Sequence, residues 1–220
     1  HLEVIPDHIP FEVAALNEPM AVARHAVNRC NPKPTDKVLI FGAGPIGLGA
    51  VLALKSLGVQ HVVVADLIAS RLETALEIGA DAVINSVEEN LAARLVELHG
   101  AGEAMFPGKA DTDIYLDAAG VPAVIGSAVT MAKRGATIGV VAVHKAPVPV
   151  DFLSLMSNEI TILGSMGYPD EIFDVTSDLV ANWQKYARIV SHTIPFDQVN
   201  EALVTASTPG AADKIVVTFD

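Results

Sequence analysis

The sequence predicts an α/β protein built on a doubly wound, mainly parallel six-stranded sheet with helices on both faces. Two observations carry this expectation. From Lys37 onward, short Val/Ile-rich runs alternate with longer segments of helical spacing, and the alternation comes as two successive series. The apolar runs are too short and too continuous for amphipathic helices, so each reads as a strand. Composition agrees: of 220 residues 51% are hydrophobic but only 5% aromatic, with alanine and valine dominating, which suits thin, closely packed layers.

The first series is KVLIFGAG, PIGLGAVLALKSLG, HVVVADL, SRLETALEIG and DAVINS, a β-α-β-α-β unit. The second is TDIYLDAAG, VPAVIGSAVTMAKRG, ATIGVVAV, DFLSLMSN and EITILGSMG, followed by a helix within 169–186. Gly58, Gly79 and Gly135 stand where a left-handed residue ends a helix, and Pro122 stands near a helix start, where its missing N–H is harmless. The stretch HGAGEAMFPGKADT, 99–112, predicts a surface loop inside one domain, because the alternation resumes beyond it. The ends differ. Residues 11–30 have helical spacing broken at Pro19, and DKIVVTFD is a final strand with no evident partner in the series. The expected division is a helical lead-in over 1–30, the α/β domain over 31–212 and a terminal strand over 213–220, with both ends docking on something else.

A net charge of -12 repels phosphate backbones and anionic headgroups, which argues against nucleic acid and acidic membranes as partners and leaves small neutral substrates open. No apolar run approaches the roughly 20 residues a bilayer span needs, and HLEVIPDHIP lacks the features of a leader, so a soluble, cytoplasmic chain is expected. Cys30 is the only cysteine; an internal disulfide is excluded, and a buried, inert thiol is expected. The histidines, His1, His8, His25, His61, His99, His144 and His192, show no spacing for a metal pair. His144 follows a strand on the expected ligand side but is not assigned to the site. Trp183 and Tyr186, three apart in a helical segment, read as packing residues.

Three glycines in the first series have the spacing G-x-G-x-x-G at Gly42, Gly44 and Gly47. They follow a predicted strand and open a predicted helix, the context a dinucleotide fingerprint requires. Gly42 permits the tight turn, Gly44 lets the backbone approach a pyrophosphate, and Gly47 lets the helix lie close to the strand. The pyrophosphate then sits at the N-terminus of the helix beginning near Pro45, where free N–H groups and the helix dipole favour negative charge. Asp66, at the end of the second strand, stands where an acidic residue accepts hydrogen bonds from the ribose hydroxyls. A carboxylate there repels a 2′-phosphate and favours NAD over NADP. Arg71 weakens that preference, since a guanidinium can receive a phosphate. The other reading of Asp66 is a cap for the turn after the strand.

With AALNEPMAVARHAV, KVLIFGAGPIGLGAVLALKSLG, VVVADLIASRLETALEIGADAVIN, DIYLDAAG and KRGATIGVVAV, essentially the whole chain resembles the zinc-type medium-chain dehydrogenases, in particular the polyol, threonine and secondary-alcohol dehydrogenases. That resemblance implies a Rossmann domain joined to a barrel-like catalytic domain bearing the zinc ligands, of which this chain resembles only the first. The cysteine ligand and Gly-His-Glu segment of the family would lie upstream of His1. The resemblance further implies NAD as cofactor, zinc in the intact enzyme at a site incomplete in this chain, and a small alcohol or polyol as substrate. Residues 1–30 would lead in from the catalytic domain, 31–212 would bind NAD, and 213–220 would return a strand to the catalytic domain.

By position in the family, Ile46 follows Pro45 in the phosphate loop and Arg71 lies near the adenosine ribose. Val141, Ala142 and Val143 bring backbone near the nicotinamide, and Ser165, Met166 and Gly167 match the carboxamide-binding loop. Glu18, in the EP dipeptide, is a remnant zinc ligand or a neighbour of one; its other reading is a solvated carboxylate at a helix start. The family often has glycine where Ala136 and Ala142 stand, and the extra methyls are expected to narrow the nicotinamide pocket. Edge strands of these domains pair between subunits, and EITILGSM is such an edge, so a homo-oligomer through this domain is expected. The competing expectation is a nucleotide-sensing or self-associating module without catalysis.

Overall fold

The structure is a computed structural model and describes residues 4–219; His1, Leu2, Glu3 and Asp220, the extreme ends of the two predicted flanking segments, lie outside it. Six strands, β1 (Lys37–Phe41), β2 (His61–Asp66), β3 (Ala82–Asn85), β4 (Ile114–Asp117), β5 (Thr137–Val140) and β6 (Thr161–Gly164), form one sheet in the order β3-β2-β1-β4-β5-β6. Every pairing in it is parallel. The helices are α1 (Phe11–Ala14), α2 (Asn17–Cys30), α3 (Pro45–Ser56), α4 (Ala69–Ile78), α5 (Leu91–His99), α6 (Pro122–Met131), α7 (Phe152–Ser157), α8 (Glu171–Ala187) and α9 (Val199–Ser207). The doubly wound sheet expected from the alternation is therefore present. Its winding direction reverses between β1 and β4, and in open α/β sheets the crevice at the carboxyl ends of such strands is where ligands bind.

The strands read as continuous apolar runs because both faces of the sheet are covered. Successive side chains point to opposite faces. Val38, Ile40, Val62, Val64, Ile114 and Leu116 join one buried cluster with residues of α2, α3 and α8. Leu39, Phe41, Val63, Ala65 and Tyr115 join a second cluster with residues of α5 and α6. Each fully buried aliphatic side chain contributes about 1.5–3 kcal/mol, so a charged residue at either face of β1 would break the fold.

Small residues bring the layers to backbone distance. A Cβ on Gly49 in α3 would lie 2.7 Å from Met20 Sδ and 2.9 Å from Ala23 Cβ in α2. A Cβ on Gly139 in β5 would lie 2.5 Å from Cys30 Sγ at the end of α2. Burial pushes the Cys30 thiol up to about 11, against the lowering effect of Arg29, which fits the inert thiol expected of it.

Two local expectations need correction. The helical pattern over 11–30 is interrupted at Ala15 and Leu16, not at Pro19, which lies in the first turn of α2. A proline there is tolerated because first-turn N–H groups have no partner within the helix. The terminal strand stays out of the main sheet, as expected: β8 (Ile215–Thr218) pairs in parallel with β7 (His192–Pro195) in a separate two-stranded sheet. Ala136 precedes β5 and is fully buried at the amino-terminal end of the sheet, so its methyl narrows no pocket at the opposite edge.

Candidate functional site

The glycine loop joins β1 to α3 at the carboxyl edge of the sheet. Gly42 has φ +96° and donates its N–H to Ala65 O at 2.8 Å, which closes the turn against β2. A Cβ on Gly47 would lie 1.8 Å from Gly42 O, so α3 starts at a distance from the turn that only glycine permits. Gly44 is the residue before α3, and a Cβ there would meet nothing within 4 Å: the loop presents an open face. Pro45 opens the helix, and the first bond of the turn runs from Leu48 N–H to Gly44 O at 2.9 Å. The N–H groups of Ile46 and Gly47 precede that bond and lie at the positive end of the helix dipole. The loop thus offers what a diphosphate needs: open backbone, free donors and favourable potential.

Asp66 ends β2 beside this loop, and both readings of it have a physical basis. Its Oδ1 accepts from the N–H groups of Leu67 and Ile68 at 2.7 and 2.9 Å, which makes it the cap of its own turn. Its Oδ2 accepts from Ala43 N–H at 2.6 Å, which ties the turn to the glycine loop. A carboxylate has about four acceptor sites, so Oδ2 keeps one for a hydroxyl. Arg71 does not face an open ribose position alone: its Nε donates to Asp213 Oδ1 at 2.8 Å and its Nη2 to Ala212 O at 2.9 Å. Its charge is paired with a carboxylate at the chain's other end.

The remaining predicted positions fall on the exit loops of β5 and β6. Val141 and Ala142 donate their N–H groups to Asp117 O, both at 3.1 Å, so those donors are committed. The Val143 side chain is exposed. Ser165 donates its N–H to Val140 O at 2.9 Å, its Oγ is buried without a hydrogen-bond partner, Met166 is exposed, and Gly167 has φ +68°. Glu18 lies exposed in the first turn of α2, the position its second reading assigns. Among the described residues, no three His, Cys, Asp or Glu side chains come together to hold a metal ion. Zinc therefore does not fit the described residues alone. No helix among them is long and apolar enough to cross a membrane.

Two residues at this edge were not assigned from the sequence: Asp117 was not singled out, and His144 was considered and left aside. Asp117, 1% exposed, ends β4 as Asp66 ends β2, and its Oδ2 lies 2.6 Å from His144 Nε2 on the β5 exit loop. The sign available was the repeat of one pattern: an aspartate closing an apolar strand, in VVVAD and in IYLD.

Residues 45–182 match the zinc-binding dehydrogenase family. The chain is 31% identical over 219 residues to a sorbitol dehydrogenase of Ovis aries, covering 98% of this chain and 59% of that enzyme. To the sorbitol dehydrogenase of Gallus gallus it is 32% identical with the same coverage. Among solved structures, a short chain alcohol dehydrogenase from E. coli CFT073, complexed with the cofactor NADH, is 30% identical with a TM-score of 0.85, over 99% of this chain and 62% of that one. L-idonate 5-dehydrogenase from Escherichia coli K-12 is 26% identical with a TM-score of 0.83, over 98% of this chain and 59% of that one. The chain thus spans about three fifths of the length of these relatives. With more than half of its residues inside the matched region and its glycine loop at the switch point of a 3-2-1-4-5-6 sheet, the chain belongs to the zinc-binding dehydrogenase family.

Proposed function

We propose that the chain is the NAD-binding domain of a zinc-dependent alcohol or polyol dehydrogenase. In the intact enzyme hydride passes between a hydroxyl-bearing substrate and NAD, and the chain alone binds the dinucleotide without turning over an alcohol. The observation that carries this reading is the joining of the open glycine loop to Asp66 through Ala43 N–H at 2.6 Å, which sets a phosphate cradle and a ribose acceptor side by side. The protein's own work at this edge is to bind and orient a cofactor that supplies the redox chemistry. Any zinc in the intact enzyme needs ligands beyond those described, since no three His, Cys, Asp or Glu side chains come together among them.

Gly42, Gly44, Pro45, Ile46 and Gly47 hold the diphosphate and Asp66 the ribose, with Arg71 steadying the turn after β2 from its pairing with Asp213. Val141, Ala142 and Val143 flank the nicotinamide with Ser165, Met166 and Gly167, and Glu18 stays outside the cofactor site. Residues 31–212 form the cofactor domain, with 1–30 and 213–220 leading to and from the catalytic domain. Phe11 and Phe219 are exposed on those flanking segments, and Phe196 of the cofactor domain is exposed beside Phe219, its ring stacked on it, which supports a face made to be covered. The protein is a cytoplasmic homo-oligomer, its subunits meeting at β6. That strand is an unpaired sheet edge, and Phe152, Leu153 and Met156 on the preceding α7 are exposed. Ile162→Lys is expected to shift a dimer to a monomer in sedimentation.

The cofactor reading is tested by titrating the 220-residue chain with NADH and NADPH and following nicotinamide fluorescence. NADH is expected to bind more tightly, and Asp66→Asn, which keeps an acceptor but removes the charge, is expected to erase the preference. Absence of binding, or equal affinity in the unaltered chain, overturns the reading.

A further inference from the structure

The carboxylate of Asp117 is buried at the switch point of the sheet, and burial of that charge is costly unless its acceptor sites are filled. Oδ1 accepts from the N–H groups of Ala119 and Gly120, each at 3.0 Å. Oδ2 accepts from His144 Nε2 at 2.6 Å. The main-chain oxygen of the same residue accepts from Val141 and Ala142. One residue therefore shapes the loop leaving β4 with one oxygen and holds the loop leaving β5 with the other two.

The loops are in direct contact. Gly120 has φ +71°, and a Cβ on it would lie 3.1 Å from Val143 O and 3.2 Å from Ala142 Cβ. On its other side the β4 loop backs the glycine turn, since a Cβ on Gly42 would lie 3.2 Å from the Ala118 carbonyl and from Ala119 Cα. His144 is the side chain that closes this arrangement. Its Nδ1 is buried without a hydrogen-bond partner among the described residues, so Asp117 alone orients the ring by hydrogen bonding. The pair is not a cap for secondary structure: it couples two loops that bound the same crevice.

We propose that His144, acting through Asp117, is a positioning residue that sets the spacing between the exit loops of β4 and β5 and so shapes the crevice for the nicotinamide half of the dinucleotide. The proposal rests on the cofactor-domain reading above. It separates the crevice into two independently supported parts, the adenosine and diphosphate end held by Asp66 and the glycine loop, and the nicotinamide end held by Asp117 and His144.

The test compares NADH with ADP-ribose, which lacks only the nicotinamide, on the 220-residue chain. His144→Leu is expected to weaken NADH roughly tenfold, the worth of one charge-assisted hydrogen bond, while ADP-ribose changes by less than about twofold. His144→Gln, whose Nε2 is a donor at similar reach, is expected to restore most of the NADH affinity. If the leucine variant does not fold, His144→Asn takes its place, with an amide too short to put a donor where Nε2 stands. Equal loss for both ligands shows a general loosening of the chain and overturns the assignment, as does unchanged NADH affinity. Failure of the unaltered chain to bind either ligand removes the cofactor-domain reading and the assignment with it; binding of both by the unaltered chain, without discrimination in the variants, removes the assignment alone.

Discussion

The two edges of the main sheet use charge in opposite ways. At the amino edge, where β1 and β4 begin, full charges meet one another. Lys37 Nζ lies 2.7 Å from Asp111, and Lys133 Nζ lies 2.6 Å from both Asp111 and Asp113. Asp113 also accepts the Lys37 N–H at 2.8 Å. Partial burial works against the Asp111 ion, but hydrogen bonds from Lys133 and Lys37 hold its carboxyl below the usual range. At the carboxyl edge, Asp66 and Asp117 take main-chain N–H groups and one histidine instead of cations. A cation neutralises a carboxylate and closes the site; a set of N–H dipoles shapes it and leaves acceptor capacity in place. The first edge is closed by its ion pairs, and the second keeps open acceptors of the kind the proposed cofactor site needs.

The largest effect expected from breaking that contrast is at Gly47. Gly47→Ala drives a methyl into the carbonyl of Gly42, and a loss of more than about 3 kcal/mol is expected in urea unfolding, because backbone and not a flexible side chain must move. Next is acid. His99 is buried, with Nδ1 2.8 Å from Thr112 Oγ1, and desolvation, with Lys37 adding to it, lowers its pKa to about 4. A base that protonates less readily in the folded chain makes the unfolded state bind more protons, so stability is full above about 6.5 and falls as pH drops toward 4. This amounts to roughly 3 kcal/mol, read as the difference in pH dependence between the unaltered chain and His99→Gln.

Lys133→Met leaves Asp111 and Asp113 with one cation fewer and is expected to cost about 1–2 kcal/mol of stability, with NADH affinity unchanged. The smallest stability change belongs to Gly44→Ala, within about 0.5 kcal/mol, since the new methyl meets open space and the φ of -72° suits any residue. That variant should still weaken NADH at least roughly tenfold, because the open space is the proposed approach of the diphosphate. Equal damage to folding and binding at Gly44 would erase the distinction between the edges.

Much of this fold was legible because its signal is local. The apolar runs from β1 to β6 and the helical spacing between them are written into consecutive residues, and the glycine spacing carries its own turn geometry. The terminal strand β8 was legible in DKIVVTFD, but its partner was not: HTIP is four residues, mostly exposed, and its pairing with IVVT forms across the helix between them. Asp66 was found because its distance from the glycines is characteristic. Asp117 was missed because its importance comes from meeting His144 across two loops, and no spacing in sequence encodes that meeting. The position of Pro19 misled for the reverse reason, since a residue that breaks helices in general is harmless in a first turn.

The contact of Cys30 with Gly139 has a consequence for how the chain is assembled. The end of α2 rests on the bare backbone of a strand from the far half of the sequence, so this contact forms only after a long loop has closed. Helix α2 precedes every strand of the main sheet in chain order, so this docking contact must await a strand made much later. Met20 and Ala23 find their cover earlier, on Gly49 of α3, so the helix docks first on its neighbour helix and last, at its own end, on β5.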